Sequence, residues 1–392
     1  MIKMRPPKLA AKSVRSLEPV LFLVGLIGFF WLIGRKMGTV NMLSTLMSTA
    51  YQLLLDTAFY IMGVAVLAGA LSALFSEFGV IALVNRLVSP LMRPLYGLPG
   101  AASLGVVTTY LSDNPAILAL ANDKSFRRYF KKYQLPALTN IGTAFGMGAI
   151  VTTFMIGLTS PTGESFVKAA LIGNVGAFIG SIVSTRLMLR HTARVYGKEE
   201  PCDKDAGGPE LATHHRVVRE GSLGIRIADA AMEGGKTGVA LGLDIIPGLL
   251  IICTLVMILT NGPSEAGVYT GAAYEGVGFF PWIGDKLSFI IAPLFGFATS
   301  EGIAVPITAL GSAGAAMGLV PKLVATGGAG VGDVAVFTAM CMCWSGYLCT
   351  HVAMMNNLKC GHLAGHAIAC HTVGGLCAGV AAHWLYQLVS LL

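Results

Sequence analysis

Apolar stretches about 20 residues long, the length that crosses a bilayer as a helix, recur at about 17–34, 48–75, 135–159, 165–188, 237–260, 330–350 and 364–388. Each predicts a transmembrane helix. Two further apolar stretches, 79–121 and 276–320, do not read as simple spans. Each has two apolar arms divided by Gly/Pro/Ser-rich sequence, Leu95-Tyr96-Gly97-Leu98-Pro99-Gly100 in the first and Leu294 to Gly302 in the second. The one long polar segment, about 190–222, balances acidic and basic residues and predicts a solvated linker between two halves.

Composition agrees with this pattern. Of 392 residues 54% are apolar and 12% charged, against about 25% charged in an ordinary soluble domain. That leaves too little polar surface to cover a soluble globule, and it excludes a disordered, collagen-like or disulfide-rich secreted chain. Seven of the eight cysteines follow residue 250, several within apolar segments, which favours free thiols. Lys3, Arg5, Lys8, Lys12 and Arg15 precede the apolar run Val20–Gly34 with no small-residue cleavage site, so an uncleaved first membrane helix is expected. The net charge of +7 lies in short loops. No zinc-finger spacing, RNP-like stretch or basic helix accompanies it, so the lipid bilayer, not nucleic acid, is the expected partner.

Basic short loops mark the cytoplasmic side. The first sixteen residues, loop 122–134 and residues 190–220 carry five, five and six Lys or Arg, whereas 160–164 and 261–275 carry none. The connection 321–329 has only Lys322; Arg35 and Lys36 run against the trend. With the N-terminus inside, 79–121 and 276–320 must each enter and leave by one face as re-entrant hairpins. The expected fold is an all-α polytopic membrane protein with about seven transmembrane helices and two re-entrant hairpins. Its segments are 1–47 (cytoplasmic segment and first helix), a first repeat 48–189, the linker 190–222 and a second repeat 223–392. Three crossings per half invert one half relative to the other, a plan common among secondary transporters. A constant offset of 199 residues supports the repeat. It places Pro94-Leu95-Tyr96-Gly97 on Pro293-Leu294-Phe295-Gly296, Thr109 on Thr308, Leu111 on Leu310, and Gly176 and Gly180 on Gly375 and Gly379.

Candidate chemistry sits where helices should break. Ser112, Asp113 and Asn114 before Pro115 are capping residues at a helix restart, able to meet solute or simply to cap near the surface. The matching point, Leu310-Gly311-Ser312, carries no charge. Thr299-Ser300-Glu301, closed by Pro306, places a carboxylate in an apolar hairpin, where it would bind a polar solute, a proton or Na⁺, or face an aqueous vestibule. Asp56 and Asp244, in Leu-Leu-Leu-Asp and Leu-Gly-Leu-Asp, are ion-coupling candidates, with an interfacial position as the alternative. Asn140 and Asn174 lie in apolar spans, where amides join helices or touch solute. His362, His366 and Cys370, spaced i, i+4, i+8, are the weak candidates for a metal site. No Walker A, Ser-His-Asp order or other nucleophile signature occurs; Glu233-Gly234-Gly235-Lys236-Thr237 only imitates the end of a phosphate loop. Neither an enzyme nor a cofactor beyond H⁺ or Na⁺ coupling is expected.

Leu91-Met92-Arg93-Pro94-Leu95, Tyr110 to Ala116, Thr299 to Pro306, and His351-Val352-Ala353-Met354-Met355 with His371-Thr372-Val373-Gly374-Gly375 resemble the bacterial membrane proteins with nucleoside-recognition (Gate) domains. Those proteins are related to spore-maturation-type membrane proteins, concentrative nucleoside transporters and the membrane part of ferrous-iron transporters. The resemblance covers about residues 48–390. It implies a bacterial inner-membrane protein of two fused Gate-like halves, with a polar, Glu-containing hairpin turn near the substrate. Thr299-Ser300-Glu301 fits that turn; Gly97 to Ser103 has no carboxylate. The expected function is a secondary transporter or permease for a small polar solute, nucleoside-like, coupled to H⁺ or Na⁺. The alternatives are a non-transporting scaffold of spore-maturation type and a metal-ion carrier. A homo-oligomer is left open.

Overall fold

The computed structural model describes residues 17–112, 116–117, 121, 124–127, 129–202, 219–264 and 266–391, without the side chains of 124, 125, 244, 245, 248, 349 and 353. Among these every regular element is helical, with one isolated bridge between Lys131 and Pro201 and no strand. Five helices are long and apolar enough to cross a membrane, or six if one bent pair counts as a span.

Helix α1 (Glu18–Met37) ends at Gly38, whose φ of 83° needs a residue without Cβ. Leu21 and Phe22 are 67% and 68% exposed on it, as expected for a helix whose apolar sides face lipid. Next, α2 (Thr39–Gln52) and α3 (Phe59–Glu77) form one 39-residue apolar stretch, joined by a wide π turn at Leu53–Ala58 that carries Asp56. The expected span 48–75 is only part of it. Its polar first turns are held by tertiary contacts: Asn41 donates to the Tyr269 carbonyl (2.9 Å), and Thr49 accepts from the Tyr274 amide (2.9 Å).

Helix α4 (Val80–Leu91) turns back at Gly97 (φ 75°) onto α5 (Ala102–Leu111), with Asn85 and Ser103 hydrogen-bonded across the pair. The short α6 (Lys124–Arg127) follows. The expected span 135–159 is broken in two: α7 (Ala137–Thr143) and α8 (Gly148–Ile156), with Met147 at φ 57° between them. Helix α9 (Val167–Tyr196) runs 30 residues, past the expected end of its span. Beyond it, Glu199 and Glu200 pair with Lys131 (2.9 Å) and Lys132 (3.1 Å). Two segments expected on one face of the membrane therefore sit together.

Helix α10 (Leu223–Gly248) starts well before the expected 237 and passes through a π turn, Leu249–Cys253, into α11 (Thr254–Thr260). The 276–320 stretch bends twice rather than once. Helices α12 (Phe279–Lys286) and α13 (Ser288–Phe295) precede Gly296 (φ 61°), and the chain then leaves at 79° along Ser300–Ala309, whose last part is α14 (Ala304–Ala309). At Leu310–Ser312 it folds back, and α15 (Ala313–Ala325) packs on α14; Ser312 caps α15 by accepting from the Ala315 amide. The expected span 330–350 is also broken, into α16 (Val331–Cys343) and α17 (Tyr347–Asn357), with Gly346 at φ 67°. Helix α18 (Ala364–Ser390) completes the chain. Gly97 and Gly296, and Met147 and Gly346, are left-handed turns separated by the same 199 residues as the sequence matches. The breaks explain why fewer than seven helices qualify as spans: α16, at 13 residues, is too short alone.

Two helix pairs pack closely across the two halves of the chain. In α9 and α18, a Cβ on Gly176 would lie 2.7 Å from the Ala378 carbonyl, and one on Gly374 would lie 2.7 Å from the Gly180 carbonyl. In α3 and α10, Gly69 faces Gly234 and Ala65 faces Gly238. Contact positions rise on one helix as they fall on the other, so both pairs are antiparallel. Small residues let the backbones approach, which is how helices associate where lipid removes the hydrophobic drive. Glu77, at the end of α3, holds the first turn of α10 and the chain before it: it accepts from Arg226 (2.7 Å) and Arg219 (2.7 Å).

Glu275, missed in the sequence, shapes the loop between α11 and α12. Its buried carboxylate accepts from the Thr270 hydroxyl (2.7 Å), the Thr270 amide (3.0 Å) and the Gly271 amide (3.0 Å). Burial pushes its pKa up, but these hydrogen bonds outweigh burial and hold it below the usual carboxylate range. Its contribution to stability is full above the ordinary value of 4.5 and is lost as pH falls through the lowered one. Thermal unfolding in detergent should show a midpoint that drops below that pH, and Glu275→Gln should flatten the drop. Equal acid sensitivity in both proteins would remove Glu275 from this account.

Candidate functional site

The π turn at Leu53–Ala58 turns Asp56 into a cleft of about 420 Å³, lined also by Thr57, Tyr60, Thr159, Tyr274 and Lys322. The cleft is open on one side, and Asp56 and Tyr60 are exposed along it. Lys322 projects from α15 and is fixed from the opposite side: its Nζ donates to the Tyr274 carbonyl (3.1 Å) and lies 4.8 Å from the centre of the Tyr274 ring. Tyr274 itself holds φ 66°, a conformation that costs a bulky residue strain and tends to mark functional positions.

Lys322 also lines a second, much smaller space of about 20 Å³, with Glu301, Thr260, Asn261 and Thr326. That volume holds about one water. Asn261 Nδ2 is buried there without a hydrogen-bond partner among the described residues. One lysine thus separates the space faced by Asp56 from the space faced by Glu301.

The other expected residues are distributed differently. Ser112 lines a third cleft of about 220 Å³ between α3, α5 and α10, but its hydroxyl donates to the Thr108 carbonyl (2.7 Å). Asp113 and Asn114 lie outside the described residues, as does the Asp244 side chain, whose backbone is within α10. Of the Thr299-Ser300-Glu301 turn, Glu301 lines the small space. Thr299 donates to the Gly328 carbonyl (2.8 Å), and Ser300 donates to Asp285.

Asn140 and Asn174 join helices. Asn140 is fully buried and donates to Ser184 (2.9 Å) and the Ala367 carbonyl (3.0 Å). Asn174 donates to Thr152 (2.8 Å) and accepts from Tyr110 (2.8 Å). The chain from Asn140 continues through Ser184 to His371 Nδ1 (2.9 Å), and His371 Nε2 meets the Cys343 carbonyl (2.5 Å) where α16 breaks. Ser345 in that break donates to the Thr143 carbonyl (3.1 Å) at the other break, so the two interrupted helices touch. His362, His366 and Cys370 do not converge. His362 bonds Tyr196 (3.2 Å), His366 stacks on His191 (3.8 Å), and among the described residues no group of three His, Cys, Asp or Glu is placed to hold a metal.

Lys322, Tyr274 and Asn261 were not legible as site residues. Pro321 reads as a helix end, which assigns Lys322 to a loop, yet α15 continues through Pro321 to Ala325. A lone lysine after twenty residues without charge (302–321) was the available signal.

Searches of known structures return concentrative nucleoside transporters designated CNTnw. A doubly substituted variant in an outward-facing state superposes at TM-score 0.51, with 13% identity over 95% of this chain and 86% of that one. The inward-facing substrate-bound state gives 0.50, 13%, 93% and 85%. A variant in an intermediate state gives 0.52, 15%, 93% and 85%. The fold is that of a polytopic membrane transporter. No family model and no curated protein matches the sequence.

Proposed function

We propose that the chain is a secondary transporter for a small polar solute of nucleoside type, working as two inverted Gate-like halves, 48–189 and 223–392, joined by the linker 190–222. The observation that carries this reading is the cleft between the halves: Asp56 comes from the first half, Tyr274 and Lys322 from the second, and Glu301 stands in the next space. Ionisable side chains inside an apolar helical protein are expensive and mark solute or ion pathways. The antiparallel pairs α3/α10 and α9/α18 support the inverted arrangement, since each joins one helix from either half. On this reading the protein sits in a bacterial inner membrane with its N-terminus and linker cytoplasmic, as the basic loops require. A cleft of about 420 Å³ accommodates a nucleoside-sized solute. Tyr60 and Tyr274 would offer ring faces and Asp56 an acceptor for hydroxyl or amino donors. A non-transporting scaffold needs no such cleft.

The test is a thermal-shift panel on the purified chain in detergent with uridine, cytidine, adenosine and inosine. At least one should raise the unfolding midpoint saturably, and Asp56→Asn should remove that response. If none of the four shifts the wild-type protein, the nucleoside assignment fails.

A further inference from the structure

Two carboxylates, one ammonium and one unpartnered amide meet around Lys322. Asp56 faces the larger cleft, Glu301 the water-sized space, and Lys322 belongs to the walls of both. None of the ion pairs found among the described residues includes Lys322, so its ammonium is not spent on one carboxylate. It is held in place instead by Tyr274, through both carbonyl and ring. The strained Tyr274 backbone is in turn fixed by Thr49 on its amide. An ammonium gripped in this way is not a flexible lysine reaching for the membrane surface. It is a fixed positive charge between the cleft that the exposed Asp56 lines and the small space that the half-buried Glu301 lines.

We propose that the Lys322 ammonium is the internal cation of this site, occupying the position between Asp56 and Glu301 that an alkali-metal ion would otherwise fill, so that the protein binds no Na⁺ there. The small space fits this reading. A water in it would accept from Lys322 and Asn261 and donate to Glu301, which satisfies the orphaned Asn261 amide. Removing the lysine side chain would leave two carboxylates facing a void of ammonium size, with the oxygen of Asn261 available by an amide flip. That is an oxygen-lined site for a small monovalent cation.

The inference takes its purpose from the transporter reading, but its test needs no transport. The unfolding midpoint of the purified full-length chain in detergent is measured against NaCl, KCl and methylammonium chloride, with N-methylglucamine chloride holding ionic strength constant. Wild type should show no saturable response to any of the three. Lys322→Ala should start with a lower midpoint and recover it saturably with Na⁺ or methylammonium, by about 3–6 °C at a hundredfold excess over half-saturation. Adding Glu301→Gln and Asp56→Asn to Lys322→Ala should abolish the recovery. Lys322→Met, which keeps the side-chain volume, serves if the alanine variant does not fold, with a smaller recovery by Na⁺ expected. The proposal is overturned if wild type is already stabilised saturably by Na⁺ and Lys322→Ala leaves that response unchanged. It is equally overturned if the folded Lys322 variants respond to none of the cations. Ion results as expected with no uptake of any solute would instead sink the transporter reading and leave the internal cation standing.

Discussion

Gly234→Val should yield no monodisperse protein after detergent extraction, while Gly25→Val should extract and elute as the wild type does. The contrast follows from what a side chain would meet. A Cβ on Gly234 would collide with the Gly69 carbonyl and would lie 2.7 Å from the Ala73 Cβ, and a Cβ on Gly69 would stand 2.5 Å from the Gly234 carbonyl. Backbone atoms cannot rotate away as a side chain can, so the two helices must separate along their length. Overpacking a close interface costs about 1–3 kcal/mol even where side chains adjust. With rigid backbone on the other side, about 4 kcal/mol or more is expected, a large part of total stability. Gly25 on α1 has nothing within 4 Å, and a valine there meets lipid. Fluorescence-detected size exclusion of both variants makes the comparison directly. Normal elution of Gly234→Val would mean that α3 and α10 are not packed as described.

Glu301→Gln and Asp56→Asn should leave folding intact and remove function. Each exchange keeps shape and volume while deleting a charge, and each side chain faces a cavity rather than a packed interface. A hydrogen bond to a charged group contributes about 1.5–3 kcal/mol, so losing one at the bound solute or coupling ion lowers the rate about 10–150-fold. The elution profiles and unfolding midpoints of the variants should stay near the wild-type values. A loss of activity that tracks a loss of folded protein would make either carboxylate structural instead.

Much of the fold was legible because the bilayer limits the options: apolar runs must be helices, and basic loops face one side. The turns after Gly97 and Gly296 were also readable, since Gly and Pro interrupt apolar sequence there. The breaks at Met147 and Trp344–Gly346 were not. Phe145, Met147, Met340 and Trp344 are as apolar as any span residue, and the interrupted backbone is satisfied by local turns together with tertiary contacts such as Ser345 to Thr143. The candidate site divided in the same way. Asp56 and Glu301 stood out as isolated carboxylates in apolar surroundings, which composition alone reveals. Lys322 and Tyr274 become site residues only because a loop after α11 returns over α15, a contact between positions 48 residues apart that no local pattern encodes. Asn140 shows the converse: a polar residue in an apolar span whose hydrogen bonds are wholly taken up by Ser184 and Ala367.

The central claim is that a solute crosses the membrane through the cleft faced by Asp56 and Lys322, and that passage requires Glu301 in the adjoining space. Its most direct measurement is the initial uptake of tritiated uridine and adenosine into proteoliposomes containing wild-type protein, Glu301→Gln protein or no protein, under an inward proton gradient. The account predicts saturable uptake of at least one nucleoside by the wild type and a return to the protein-free rate with Glu301→Gln. Wild-type uptake no faster than protein-free liposomes for both nucleosides, or undiminished uptake by Glu301→Gln, would contradict it.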